Sequence, residues 1–273
     1  MANDFLKINN LRKVYNPDTA GEVVALNDLS FSIAEGEFVT IVGSNAAGKT
    51  TLFNAIAGSL VPTSGDIVLD GKSILKNPEF KRSRFISRVR QNPNDSVMVS
   101  MTLAENLAMA KLKDKSAGLS KGVKKEWRNE FVAFLKPLGL GLEKRLDDKI
   151  DLLSGGQKQT VALLMATIVK PKLLLLDEHT AALDPKVSKK VLEITDRIVK
   201  DSGVTTLMIT HNIHHAIEFG NRLILLDRGK IGFEAIGEQK QKLNVVDVVE
   251  KLESKIAEFE EDISILAAEK PKK

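Results

Sequence analysis

A glycine-rich octapeptide near the start of the chain constrains its fold more than any other segment. Residues 43–50 read GSNAAGKT, between the apolar run 38–42 and a segment with a helical pattern, 50–57. The octapeptide fits the pattern GxxxxGK[ST], in which a strand leads into a loop and the loop into a helix. Backbone N–H groups of such a loop surround phosphates, and the helix N-terminus adds partial positive charge. The sequence therefore predicts a phosphate-binding loop at the end of a strand.

The side chains of this loop have expected roles of their own. Lys49 would bridge the β and γ phosphates of a nucleotide, and the hydroxyl of Thr50 would bind Mg²⁺. The residues that we assign to nucleotide binding in this segment are Gly43, Ser44, Asn45, Ala46, Ala47, Gly48, Lys49, Thr50 and Thr51.

A pair of carboxylates follows a second apolar strand. Four consecutive leucines, 173–176, precede Asp177 and Glu178. A short, continuously apolar run is typical of a strand buried on both faces of a parallel sheet, so it places the carboxylates at the strand end. Asp177 is the expected metal ligand, acting through water. Glu178 is the expected general base, which would orient and deprotonate an attacking water.

A second glycine-containing segment, LSGGQ at 153–157, precedes an apolar helical stretch. Ser154 is typical of a helix N-cap, and Gly155 and Gly156 would allow the backbone to approach an anion closely. With Gln157, these residues predict a second phosphate contact at a helix N-terminus.

Composition excludes several classes of protein. The 273 residues contain no cysteine, which excludes disulfides, thiolate metal sites and cysteine nucleophiles. The 40 basic and 36 acidic residues are nearly balanced, so nucleic acid is not an expected partner. Six lysines lie in the segment from Lys111 to Lys125, which would be either a solvated loop or a patch for anionic lipid or nucleic acid. No window reaches the roughly 18 apolar residues of a membrane span, so we do not expect the chain to cross a bilayer alone.

The pattern along the chain predicts two units. Residues 1–240 would form the main domain, with strands at 5–8, 24–33, 38–42, 67–69, 173–176 and 205–210, a helix at 185–199 and a final hairpin at 222–233. Helical patterns from about 76 to 157 predict an inserted helical subdomain, in which Thr102 and Glu105 form a capping box. Residues 241–273 would form an appended amphipathic helix.

The ordered set of motifs resembles the ATP-binding cassette (ABC) ATPases over about residues 5–235. That resemblance implies a P-loop NTPase (RecA-like) α/β core with an antiparallel β subdomain, an inserted helical subdomain and a C-terminal amphipathic helix. It implies ATP and Mg²⁺ as cofactors and adds further site residues. These are Tyr15, which would stack on adenine; Gln91, which would sense Mg²⁺ and the γ-phosphate; Asp184, in a loop at the dimer interface; and His211, which would contact the γ-phosphate.

The resemblance also implies partners. Cassettes of this family pair head to tail, so Ser154 and Gly156 of one chain would close on ATP held by Lys49 of another, and a single motif set implies a homodimer. An integral membrane permease would hold the dimer at the cytoplasmic face of the membrane, and a separate substrate-binding protein would deliver the solute. The alternative is a soluble cassette ATPase in cofactor assembly, such as an iron–sulfur scaffold ATPase, which needs no permease.

Two positions depart from the usual family pattern. Ala46 replaces a common glycine, which predicts that this loop position does not need a positive φ angle. His179 replaces the usual proline after Glu178, and the resulting DEHT resembles a bacterial branch of importer ATPases, some of which are linked to tryptophan or other aromatic amino acids.

Two apolar segments have open interpretations. Residues 97–101, which include Met98 and Met101, would be either core of the helical subdomain or an adaptable surface for the permease. The tail would either cover its own domain or pair as a coiled coil, with Asn244 and Asp247 capping its start. Its apolar stripe consists of Val245, Val249, Leu252, Ile256, Phe259, Ile263 and Leu266.

Overall fold

The computed structural model describes residues 4–113 and 122–254, which form two β-sheets and the helices that cover them. The strands are β1 (Asp4–Tyr15), β2 (Val23–Ala34), β3 (Phe38–Val42), β4 (Ser64–Leu69), β5 (Lys72–Ser73), β6 (Ile86–Val89), β7 (Leu173–Asp177), β8 (Thr205–Ile209), β9 (Arg222–Asp227) and β10 (Lys230–Ile236). The helices are α1 (Lys49–Ala57), α2 (Glu79–Arg82), α3 (Leu103–Lys111), α4 (Lys125–Leu135), α5 (Gly155–Thr167), α6 (Pro185–Ser202), α7 (Ile213–Glu218) and α8 (Glu238–Gln241).

The larger sheet has six strands in the order β10-β9-β3-β8-β7-β6. All neighbours are parallel except the hairpin of β9 and β10. The leucine run of β7 is buried on both faces, as predicted. Leu173 and Leu175 pack toward the core under α1, whereas Leu174 and Leu176 pack toward the core beside α5. The carboxyl ends of β3 and β7 therefore lie on one edge of the sheet, where the phosphate loop and the carboxylate pair meet.

The smaller sheet is antiparallel, in the order β2-β1-β4-β5, and confirms the predicted antiparallel β subdomain. A two-residue turn joins β4 to β5, because Asp70 and Gly71 both adopt positive φ angles. This sheet, α1 and one face of the larger sheet share a single buried core.

The helical part of the chain contains α3, α4 and α5, which pack around a second core. The capping box predicted at Thr102 and Glu105 is present. The helical subdomain does not begin at about residue 76 as predicted, because residues 86–89 form β6 and pair in parallel with β7. The helical patterns around this short, arginine-containing strand masked its place at the edge of the larger sheet.

The last described segment is a helix from 245 to 254. Asn244 and Asp247 cap its start reciprocally, as predicted. Val248 is fully buried against α7 and β9, although it lies outside the predicted apolar stripe, so the start of this helix covers its own domain. The part of the stripe beyond 254, and the lysine-rich stretch over 114–121, lie outside the described residues. Among the helices that the structure describes, none is both long and apolar enough to span a membrane.

Candidate functional site

Close backbone packing explains both end glycines of the phosphate loop. A Cβ atom on Gly43 would lie 2.1 Å from the carbonyl oxygen of Leu226. Gly48 has a φ angle of +97°, and a Cβ atom there would lie 2.3 Å from the carbonyl oxygen of Ala25. Neither position accepts a larger residue without moving the loop, so the loop geometry depends on both glycines.

The backbone conformation of Ala46 differs from the prediction that this loop position does not need a positive φ angle. Its φ angle is +65°, so this loop position does adopt the left-handed backbone that glycine favours. The prediction was wrong because it read backbone conformation from residue type. A single alanine in this region costs on the order of 1 kcal/mol, which the surrounding loop can offset.

Lys49 is anchored within the loop. Its side chain is buried, and its Nζ atom donates hydrogen bonds of 2.8 Å to the carbonyl oxygens of Gly43 and Ser44. Burial lowers the pKa of the ammonium, and the carboxylates of Glu178 and Asp177 act in the opposite direction. The loop therefore presents a cation beside two carboxylates, at a position where phosphate oxygens could replace the carbonyl partners.

Glu178 and His211 form a direct pair. Their Oε1 and Nε2 atoms are 2.5 Å apart. Glu178 follows β7 with a φ angle of +49°, an uncommon conformation for a residue other than glycine. Its backbone N–H donates to the carbonyl oxygen of Ile209, so the end of β8 holds this conformation. Such backbone strain is characteristic of functional sites.

Asp177 has a partner that the sequence did not reveal. Arg88, on β6, donates from Nη2 to Oδ2 of Asp177 over 2.5 Å and from Nη1 to Oδ1 of Asn54 over 2.7 Å. The missed signal is the position of Arg88 in a strand adjacent to β7, which could be seen only once residues 86–89 were recognised as a strand.

A cavity of about 270 Å³ gathers most of the predicted nucleotide-binding residues. Tyr15 lies at one side of it, and the Nζ atom of Lys13 lies 5.2 Å from the centre of the Tyr15 ring. The predicted site residues that line it are Tyr15, Asn45, Ala46, Ala47, Gly48, Lys49, Thr50, Thr51, Glu178 and His211. Four sequence segments that are far apart in the chain thus meet around one cavity.

The remaining predicted residues lie outside that cavity's lining. Gln91 is exposed just after β6. Ser154 caps α5 through a reciprocal capping box with Gln157, while Gly155 is exposed. Asp184 caps α6 through the N–H of Val187. Gln91, Ser154, Gln157 and Asp184 are therefore not among the residues that line the cavity within one chain.

Gly156 has a packing role in the chain. A Cβ atom at this position would lie 2.2 Å from Cγ1 of Val187, so the absence of a side chain allows α5 to approach α6 closely.

His179 is structural. Its side chain is buried, and its Nε2 atom lies 3.1 Å from the hydroxyl of Thr195 on α6. Burial, and to a lesser extent charge on His215, lowers the pKa of His179 to about 4, so the ring is neutral at pH 7. Because it faces α6 rather than the cavity, His179 is not placed to act as the base.

The donor set fits a magnesium nucleotide. Lys49 supplies a buried cation, Thr50 a hydroxyl, and Asp177 and Glu178 carboxylate oxygens. Mg²⁺ prefers oxygen ligands and commonly binds through one or two protein groups together with substrate phosphates. These residues therefore suit the group that the motifs imply.

Comparison with known proteins gives a consistent picture. A family model described as "ABC transporter" matches residues 26–181. The chain is 44% identical over 249 residues to the tyrosine transport ATP-binding protein of Clostridioides difficile, covering 91% of this chain and 98% of that protein. It is 35% identical to the spermidine/putrescine import ATP-binding protein PotA of Mycoplasma capricolum, covering 85% of this chain and 61% of that protein.

A solved structure is similar over most of the chain. It is a dimeric post-hydrolysis state of the ATP-binding cassette MJ0796 bound to ADP and Pi. The TM-score is 0.71 at 30% sequence identity, and the alignment covers 85% of this chain and 98% of that one.

Proposed function

This chain belongs to the ABC transporter family of ATP-binding proteins, and on that premise we propose that it drives the uptake of an aromatic amino acid through a separate permease. ATP with Mg²⁺ is the cofactor of such cassettes, and the chain is an ATPase of a transporter. The cavity in which Tyr15, Lys49, Glu178 and His211 meet supports ATP hydrolysis, and the 44% identity to a tyrosine transport ATP-binding protein supports the choice of substrate.

The residues of this cavity divide the work of hydrolysis. Tyr15 offers its ring to the adenine base, since base–aromatic stacking contributes roughly 1–3 kcal/mol in nucleic-acid-binding proteins. The loop N–H groups and Lys49 hold the phosphates. Bound Mg²⁺ would neutralise charge on the phosphate oxygens, with Thr50, Asp177 and Gln91 as the residues that hold it.

Glu178 is placed to orient and deprotonate the attacking water. Its carboxylate is mostly buried, and His211 contacts one oxygen at 2.5 Å. His211 is more exposed than Glu178, so it can rotate toward a γ-phosphate and release that oxygen. We assign the proton transfer to Glu178 and the γ-phosphate contact to His211.

A second copy of the chain completes the site. Ser154 and Gly155 are exposed at the start of the 13-residue helix α5, yet they lie away from the cavity of their own chain. In a head-to-tail pair they would reach the γ-phosphate of the facing copy, together with Gly156 and Gln157. Asp184 would lie at the same interface. The dimeric cassette structure to which this chain is similar supports that arrangement.

The permease would dock near Gln91. Of the apolar segment that follows, Val97 is buried while Met98 and Val99 are exposed, so the two interpretations of this segment apply to different residues. Met98 and Val99 give the permease an adaptable apolar contact, and Gln91 would connect it to the nucleotide. Docking would place the chain at the cytoplasmic face of the membrane, and a separate binding protein would deliver the solute.

Uptake measurements test the proposed substrate. Cells that carry Lys49→Ala in the chromosomal gene should lose most uptake of labelled tyrosine or tryptophan, because the buried cation that holds the phosphates is gone. Spermidine uptake in the same cells is the control and should not change. Loss of spermidine uptake with normal aromatic amino-acid uptake would contradict the proposed substrate, and would favour the polyamine specificity in the name of PotA.

A further inference from the structure

Arg88 occupies a position in the nucleotide site that none of the expected roles explains. Its guanidinium reaches from the edge strand β6 into the space between β7 and α1, where it bonds to Asp177 and Asn54. The side chains of Arg88 and Asp177 are only 13% and 14% exposed. This is a charge-assisted hydrogen bond between two largely desolvated groups, and such bonds are roughly twice as strong as hydrogen bonds between neutral groups.

The Asp177 carboxylate thus interacts with two cations. Arg88 bonds to it directly, and the charge of Lys49 is near enough to interact with it electrostatically. A further cation that approaches Asp177 is repelled by both, and in a site of low dielectric constant that repulsion is stronger than in water.

We propose that Arg88 is a positioning residue that holds the Asp177 carboxylate and competes with the divalent cation for it. The inference rests on the proposed role of Asp177 in metal binding. Arg88 neutralises and orients the carboxylate when no metal is bound, and it weakens metal binding when nucleotide is present.

A role for Arg88 in supporting the fold and a role in competing with the metal predict different effects on metal affinity when Arg88 is replaced. A group that only supports the fold would, when removed, leave metal binding unchanged or weaken it. Removal of a competing charge strengthens it. Opposite charge within hydrogen-bonding distance changes the proton affinity of a carboxylate by roughly tenfold or more, and we expect a similar scale for a divalent cation.

Titration with Mn²⁺ in the presence of ADP, followed by the electron paramagnetic resonance signal of free Mn²⁺, measures this affinity without turnover. Arg88→Met should bind Mn²⁺ about tenfold more tightly than the wild-type chain. Arg88→Lys keeps the charge and should stay near wild type. Arg90→Met is the matched control, because Arg90 is an exposed arginine two residues further on and should not affect Mn²⁺ affinity.

Further variants separate the possible failures. Arg88→Gln removes the charge but keeps a hydrogen-bond donor, and it replaces Arg88→Met if circular dichroism shows that the latter does not fold. Unchanged or weaker Mn²⁺ binding in the neutral variant would overturn the proposal. If Asp177→Asn also left Mn²⁺ affinity unchanged, the assignment of Asp177 to the metal would be wrong as well. If only Asp177→Asn weakened binding, the role of Arg88 alone would be refuted.

Discussion

Individual side chains at the end of β7 have sharply different environments. Glu178 is held in a left-handed backbone conformation and faces His211 in the cavity. The next residue, His179, turns into the core and bonds to Thr195. The proposed catalytic carboxylate and a structural histidine are therefore adjacent in sequence.

The buried state of His179 predicts a pH dependence of stability. Its pKa is about 4 in the folded chain and 6.5 when unperturbed, so the unfolded chain binds an extra proton between these values. The stabilisation is complete above pH 6.5 and decreases as the pH falls toward 4. Urea unfolding at pH 7.5 and pH 4.5 should show a loss of about 2 kcal/mol from this residue.

The comparison variant is His179→Gln, which can bond to Thr195 but does not titrate. It should remove that part of the pH dependence, whereas His214→Gln, at an exposed position, should keep it. Equal pH dependence of stability in wild type and His179→Gln would contradict the conclusion that burial keeps the His179 ring neutral.

The placement of site residues that depends on local spacing could be predicted from the sequence, and contacts between distant segments could not. Gly43 to Lys49 and the pair Asp177 and Glu178 follow from local patterns next to strands, and the structure brings both segments to one sheet edge. Arg88 was missed because its partner, Asp177, is 89 residues away. The prediction for the φ angle of Ala46 was wrong because residue type is only a weak guide to backbone conformation.

At the scale of elements, α5 and α6 illustrate how a signature motif also serves packing. The two helices cross closely at Gly156, where Val187 fills the space that a side chain would need. Tight interiors tolerate added methyl groups poorly. The glycine is therefore required in this chain for helix packing, whatever contact it makes with a second copy.

Substitution of Gly156 tests this packing. Gly156→Ala should lower the free energy of unfolding by about 1–3 kcal/mol, measured by urea denaturation, because its Cβ would clash with a stiff, β-branched side chain. Gly155→Ala is the control and should have a smaller effect, since the added Cβ atom would lie 3.3 Å from its nearest neighbour, a methyl group of Leu183. The double variant Gly156→Ala with Val187→Ala should recover part of the loss. An unchanged stability for Gly156→Ala would contradict the packing role.

The exposed apolar residues after β6 allow the proposed permease contact to be tested separately from ATP binding. Met98 is 49% exposed, so Met98→Glu should leave the fold and ATP affinity of the chain unchanged. It should reduce aromatic amino-acid uptake at least about tenfold, because a charge in an apolar contact is costly to desolvate. Calorimetry with ATP and uptake of labelled tyrosine measure the two effects.

Val61→Glu provides the control for this surface, because Val61 is an exposed apolar residue elsewhere on the molecule. It should keep both ATP binding and uptake. Normal uptake in Met98→Glu would move the permease contact to another face.

For the whole molecule, the strands of the α/β core were predictable because the motifs and apolar runs are local signals, whereas the antiparallel subdomain was expected from the resemblance to ABC ATPases. The boundary of the helical part was not predictable, because β6 is short and lies within helical patterns. A single chain also leaves its phosphate loop and its exposed Ser154 apart. We therefore expect two copies to close on ATP, and hydrolysis with Glu178 as the proposed base to open them.

The mass of Glu178→Gln in the presence of ATP and Mg²⁺ shows whether bound ATP holds two copies together. Without the general base, ATP should remain bound and hold two copies together, so size-exclusion chromatography with light scattering should give about 60 kDa, twice the 29.9 kDa of one chain. The same variant with ADP should elute as a monomer near 30 kDa, as should wild type after it has consumed its ATP. A Glu178→Gln chain that binds ATP, as measured by calorimetry, yet remains at the monomer mass would contradict the account.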